Sequence, residues 1–81
     1  MKTSTFAIKS AVEVAYRHFH ENVKAYDFGD LTKERFSENI YGLRNNIASL
    51  SQKAETKTAR EKIERFVKVC NTRLDLLVKE D

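Results

Sequence analysis

Proline is absent from the chain, and glycine appears only twice, as Gly29 and Gly42. Sandwiches and barrels need many tight turns, and those turns draw heavily on these two residues, so the scarcity points to helices. Three stretches answer to the helical period. The first, near residues 5–26, carries Ile8, Val12, Ala15, Phe19, Val23 and Tyr26 at spacings of three and four. Ser4 or Thr5 can serve as its N-cap, because a hydroxyl there accepts from an otherwise orphaned backbone N–H. Asp27-Phe28-Gly29-Asp30 ends it, with Gly29 suited to the positive φ of a helix stop.

The second stretch, near residues 33–50, follows Thr32 as N-cap and carries Phe36, Ile40, Leu43, Ile47 and Leu50. Glu34 suits its first turn, and Leu31 with Phe36 has the spacing of a hydrophobic staple. Gly42 sits inside this helix at a cost of about 1 kcal/mol relative to alanine, either to admit a close crossing or as a tolerated defect. The third stretch, near residues 59–78, opens on Thr58-Ala59-Arg60-Glu61, which matches a capping box, and carries Ala59, Ile63, Phe66, Cys70, Leu74 and Leu77.

Nothing that breaks a helix separates the second and third stretches, so one long rod is conceivable. The phase of the stripe argues against it. Continued at three-four spacing, the second stripe lands on Ala54, Lys57, Glu61, Glu64 and Lys68, while the real apolar set is two residues out of step. Two residues is about 200° of rotation, which would put the two apolar halves on opposite sides of a rod. A turn within residues 51–57 lets both halves face one core. The expected architecture is therefore all-α: a small antiparallel three-helix bundle, a single domain over residues 1–81. Phe19, Ile47 and Phe66 are expected in its core. A core this small leaves marginal stability, for which a homodimer or another protein partner is a common remedy.

Charge and composition exclude several functions. The longest stretch free of charged residues is Asn45 to Gln52, eight residues, against roughly 20 apolar residues for a membrane span, so no membrane insertion is expected. Lys9 cuts the run of Phe6, Ala7 and Ile8 that follows Lys2, too short for the apolar region of a secretory signal. The single cysteine, Cys70, cannot form an internal disulfide, and a cytoplasmic location is expected. Net charge is +3, from 15 basic and 12 acidic residues, too mild to announce a nucleic-acid binder.

Candidate chemistry is sparse. His18 and His20 lie about 200° apart on a helix and cannot hold one metal ion together. Cys70 lies on a core stripe, where a thiol is inert. No phosphate loop, zinc-protease motif or calcium loop occurs, so neither catalysis nor a cofactor or metal is expected. The segment from Lys53 to Arg73 holds seven basic and three acidic residues, and Lys62, Arg65 and Lys68 fall on one face. That face could take phosphates. Glu61–Arg65 and Glu64–Lys68, however, stand in the favourable order for ion pairs, which predicts a solvated, salt-paired surface. Val14, Tyr41 and Leu76 are apolar residues off the stripes, Tyr41 by about 135°, and would mark a partner contact if they cluster. The remaining aromatic residues read mostly as core.

The run TSTFAIKSAVEVAYRHFHENVKAYDFGDLTKERFSENIYGLRNNIASL resembles the small cytoplasmic antiholins of T-even bacteriophages, accessory proteins of lysis inhibition. The likeness in length and charge balance extends over the whole chain, and it carries no short motif from which a site residue can be transferred. It implies a non-enzymatic protein of the infected host's cytoplasm that binds the cytoplasmic segment of the phage holin and delays pore formation. A soluble helical bundle can hold such a segment by a helix-in-groove contact. The alternative from another class is a small nucleic-acid-binding regulator using Lys62, Arg65 and Lys68.

Overall fold

The computed structural model describes residues 3–80, so Lys2 lies outside the described residues. Three α-helices follow one another: α1 (Thr5–Asp27), α2 (Lys33–Ala48) and α3 (Lys57–Lys79). A 3₁₀ turn, Ser49–Lys53, joins α2 to α3. Each helix packs on both others, in a bundle measuring 41 × 20 × 16 Å. The expected all-α three-helix bundle is what the chain forms.

The helix starts follow from local hydroxyl chemistry. Ser4 Oγ accepts from the Ala7 amide at 3.1 Å, and Thr32 Oγ1 accepts from the Arg35 amide at 3.1 Å. α1 ends in paired backbone bonds, from the Gly29 amide to the Tyr26 carbonyl at 3.0 Å and from the Asp30 amide to the Ala25 carbonyl at 2.8 Å. This closure needs a left-handed residue, and Gly29 supplies it at φ +83°. The capping box expected at Thr58 does not form. Thr56 is the N-cap of α3: its backbone is extended and its hydroxyl accepts from the Ala59 amide at 3.1 Å. The same hydroxyl lies 2.9 Å from that of Thr5, so contact with α1 favours the earlier start.

The break between the second and third stripes is real and begins earlier than expected. α2 stops at Ala48, and the tighter 3₁₀ turn takes over at Ser49. The link is pinned rather than loose. The Thr3 amide donates to the Lys53 carbonyl at 2.8 Å, and Ala54 is buried.

The three stripes converge on one core. Ile8, Phe36, Ile40, Ile63, Phe66 and Cys70 are the largest fully buried side chains, and Phe19 and Ile47 are buried beside them. Val23, Tyr26, Leu31, Leu43 and Leu50 pack half-buried around this cluster. Two aromatics expected near the core stand outside it: Phe6 is 78% exposed and Phe28 75%. Phe6 precedes Ile8 by two residues, which turns it about 200° from the buried stripe. Phe28 caps α1 beyond the end of the seam.

Gly42 faces open space, with no atom within 4 Å of the position a Cβ would take. It permits no close crossing. Gly42→Ala is therefore expected to stabilise the bundle by about 1 kcal/mol. For a chain of this size that raises the melting temperature by about 4–8 °C, readable by calorimetry. An unchanged or lower melting temperature would contradict an open position.

Candidate functional site

α1 and α3 run side by side and leave a groove along their seam. Phe19, on the core stripe of α1, forms one wall, with its ring edge-on to Phe66 at 6.3 Å between centroids. The half-buried Val69 and the 45% exposed Leu76 of α3 supply the apolar surface facing it. Arg65 and Lys68 stand on the rim, and Thr72 and Arg73 complete the lining. The groove holds about 420 Å³, is open to solvent, and has no acidic side chain in its lining. Such an apolar surface with a few convergent polar groups is the ordinary form of a binding site.

The rim cations are free. The ion pairs expected from Glu61 to Arg65 and from Glu64 to Lys68 do not form. Glu61 instead meets Lys57 at 4.0 Å, and neither Arg65 nor Lys68 has an ion-pair partner among the described residues. Arg73 differs. It is mostly buried and lies 3.6 Å from Asp27 and 3.8 Å from Glu80. Its guanidinium sits 5.9 Å from the Tyr26 ring centre and 5.4 Å from that of Phe36, which stack on each other at 4.6 Å. The Tyr26 hydroxyl donates to Glu80 at 2.8 Å. Arg73 thus clamps the ends of α1 and α3 over the start of α2. Arg73→Ala is expected to lower stability by about 1–2 kcal/mol, through the two ring contacts more than the solvent-screened ion pairs, as urea denaturation will read. Unchanged stability would remove the clamp.

The residues singled out in the sequence fall in different places. Leu76, Arg65 and Lys68 share the α1–α3 groove. Lys62 lies apart from it, half-buried in a small pocket of 100 Å³ with Lys9, Glu13 and Tyr16, and Arg65 borders both. The basic face is therefore split, with an acidic residue in one half. Tyr41 belongs to α2, with the Arg44 guanidinium 4.7 Å from its ring centre and Arg44 donating to Asn71 of α3 at 2.7 Å. Val14 is 44% exposed and lies five residues from Phe19, about 140° around α1 from the groove wall. The three apolar candidates do not form one cluster.

Val69, Thr72 and Arg73 were not singled out for binding, and Phe19 was read as core alone. A signal for Val69 and Thr72 exists. Arg65, Val69, Thr72 and Leu76 recur at spacings of four, three and four, a second face of α3 beside its buried stripe.

The histidines face different surroundings. His18 Nδ1 lies 4.0 Å from Glu21, and both side chains are exposed. His20 stands edge-on to Phe19 at 5.6 Å and stacks on Tyr16 at 6.3 Å. No group of three or more metal-ligating side chains comes together among the described residues. Burial pushes the Cys70 thiol up to about 11, against a smaller opposing pull from Arg44, so little nucleophilic thiolate exists near neutral pH. Burial likewise raises Tyr16, with Arg65 pulling the other way. Among the described residues, no helix is long and apolar enough to cross a membrane. No protein-family model, curated protein or solved structure matches the chain.

Proposed function

We propose that this chain is a non-enzymatic regulator that works by holding a protein partner in the α1–α3 groove. In the form its resemblance to the T-even antiholins implies, the partner is the cytoplasmic segment of the phage holin. Holding that segment in the host cytoplasm then delays pore formation. The supporting observation is the juxtaposition of uncovered apolar surface at Val69 and Leu76 with the unpaired cations Arg65 and Lys68. Apolar surface in a concave site releases water when a partner covers it, and rim charges steer the encounter and set orientation. The Cys70 thiol, buried and held protonated near neutral pH, does not compete with this surface as a place of action.

The free state of Arg65 and Lys68 also favours a second reading, a nucleic-acid contact made together with Lys62. Salt separates the two. A contact centred on apolar groups weakens modestly with ionic strength, because screening acts mainly on exposed charges. Three neutralised phosphates release counterions and give a log–log slope of about −3. The protein should be titrated against a peptide of the holin's cytoplasmic segment and against duplex DNA at several salt concentrations. Peptide binding with a shallow slope is expected. Micromolar DNA binding with a steep slope, lost in Lys62→Ala and Arg65→Ala, would overturn the protein-contact reading.

A further inference from the structure

Resting on the protein-contact reading, we infer that the occupant of the α1–α3 groove is an acidic amphipathic helix of about three turns. Length, shape and charge each narrow the choice. The lining residues on α3 run from Arg65 to Leu76, which spans about 16 Å at 1.5 Å per residue, or three turns of a facing helix. The groove is a seam between two parallel-lying helices with apolar side chains along its floor, and a third helix packs into such a seam by its own apolar stripe. An isolated extended strand finds no edge there, since α1 and α3 satisfy their own backbone bonds.

The rim decides the flanking chemistry. Arg65 and Lys68 are three residues apart, so their charged ends rise from adjacent turns of the same face. Each lacks an ion-pair partner among the described residues, and no carboxylate lines the groove. Carboxylates three or four residues apart, beside the apolar stripe of the incoming helix, meet both cations at once. A second copy of this chain is the wrong occupant for a symmetric contact. A two-fold interface sets each patch against itself, so the Arg65 and Lys68 of both copies would gather in one contact whose groove lining holds no acid to offset them.

The probe is a fluorescent peptide of about four turns with leucines at alternating three- and four-residue spacing and glutamates on both flanks. A second peptide carries lysine at every glutamate position. Anisotropy titration should show the glutamate peptide binding at least tenfold more tightly than the lysine peptide. Leu76→Asp should weaken the glutamate peptide tenfold or more. The double variant Arg65→Glu/Lys68→Glu should exchange the preference, so that the lysine peptide becomes the better ligand. All of these positions are exposed or half-exposed, so helical circular dichroism and melting should stay near the parent and certify the fold. Equal binding of the two peptides, binding of neither, or a preference that the double variant leaves unchanged overturns the inference. A holin segment that binds the parent and Leu76→Asp equally overturns it too, and leaves in place only that the chain binds a protein, on a face other than the groove. Tight sedimentation as a dimer, lost in Leu76→Asp, would assign the groove to a second copy instead.

Discussion

Phe66→Ala is expected to remove about half or more of the bundle's stability. Phe66 has no exposed surface and sits where all three stripes converge. The Tyr16 ring meets it edge-on at 4.8 Å and the Phe19 ring at 6.3 Å. Removing the ring forfeits its burial and leaves a cavity, together about 3–5 kcal/mol. The aromatic pairs add roughly 0.5–1.5 kcal/mol that a smaller side chain cannot recover. A domain of 81 residues has only roughly 4–12 kcal/mol in total. Phe28→Ala supplies the contrast: that ring is 75% exposed, and its loss should change stability by about 0.5 kcal/mol or less. Urea denaturation followed by circular dichroism reads both. A Phe66→Ala protein melting within a few degrees of the parent would place the core elsewhere.

The second large effect is alkaline destabilisation. The thiol of Cys70 ordinarily ionises near 9, and burial holds it protonated up to about 11 in the folded chain. Below pH 9 both states carry the proton, and the contribution is fully present. As pH rises past 9 the unfolded thiol releases its proton while the folded one keeps it. Unfolding then gains the ionisation free energy, and stability falls until the folded thiol also titrates near 11. Two pH units correspond to a loss on the order of 2–3 kcal/mol. Tyr16 and Tyr26 are both raised above 10, Tyr16 by burial and Tyr26 first by its bond to Glu80, so they act with the same sign at higher pH. The urea midpoint should drop steeply above pH 9 in the parent and less steeply in Cys70→Ala, whatever the neutral-pH stability of that variant. Parallel curves would show that the thiol is not the source.

The helical fold was legible because each helix records its buried side in its own spacing. The third stripe, from Ala59 to Leu77, is buried at all six positions. The phase slip between Leu50 and Ala59 required a break, and a break is present. Helix ends were less legible where tertiary contacts compete with local signals. Thr56 and Thr58 both suit an N-cap, and Thr5 of α1, unseen from the local sequence, sides with Thr56. The salt-paired surface failed for a related reason. Spacing says which pairs can form, but Glu61 had Lys57 on one side and Arg65 on the other, and it lies with Lys57.

The groove was half legible. Leu76, Arg65 and Lys68 each drew notice, for opposite reasons and as members of rival sites. The sequence by itself determined the three amphipathic helices, the side each one buries, and the core positions of Phe19, Ile47 and Phe66. A residue's angle around its own helix follows from 3.6 residues per turn, and apolar side chains seek whichever side excludes water. Only the tertiary structure decided which off-stripe residues share a surface. An angle around one axis does not say which neighbour lies beside it. Once α1 packs along α3 with Phe19 at the seam, Leu76 and the rim cations become one site, while Tyr41 stays with α2 and Val14 turns away.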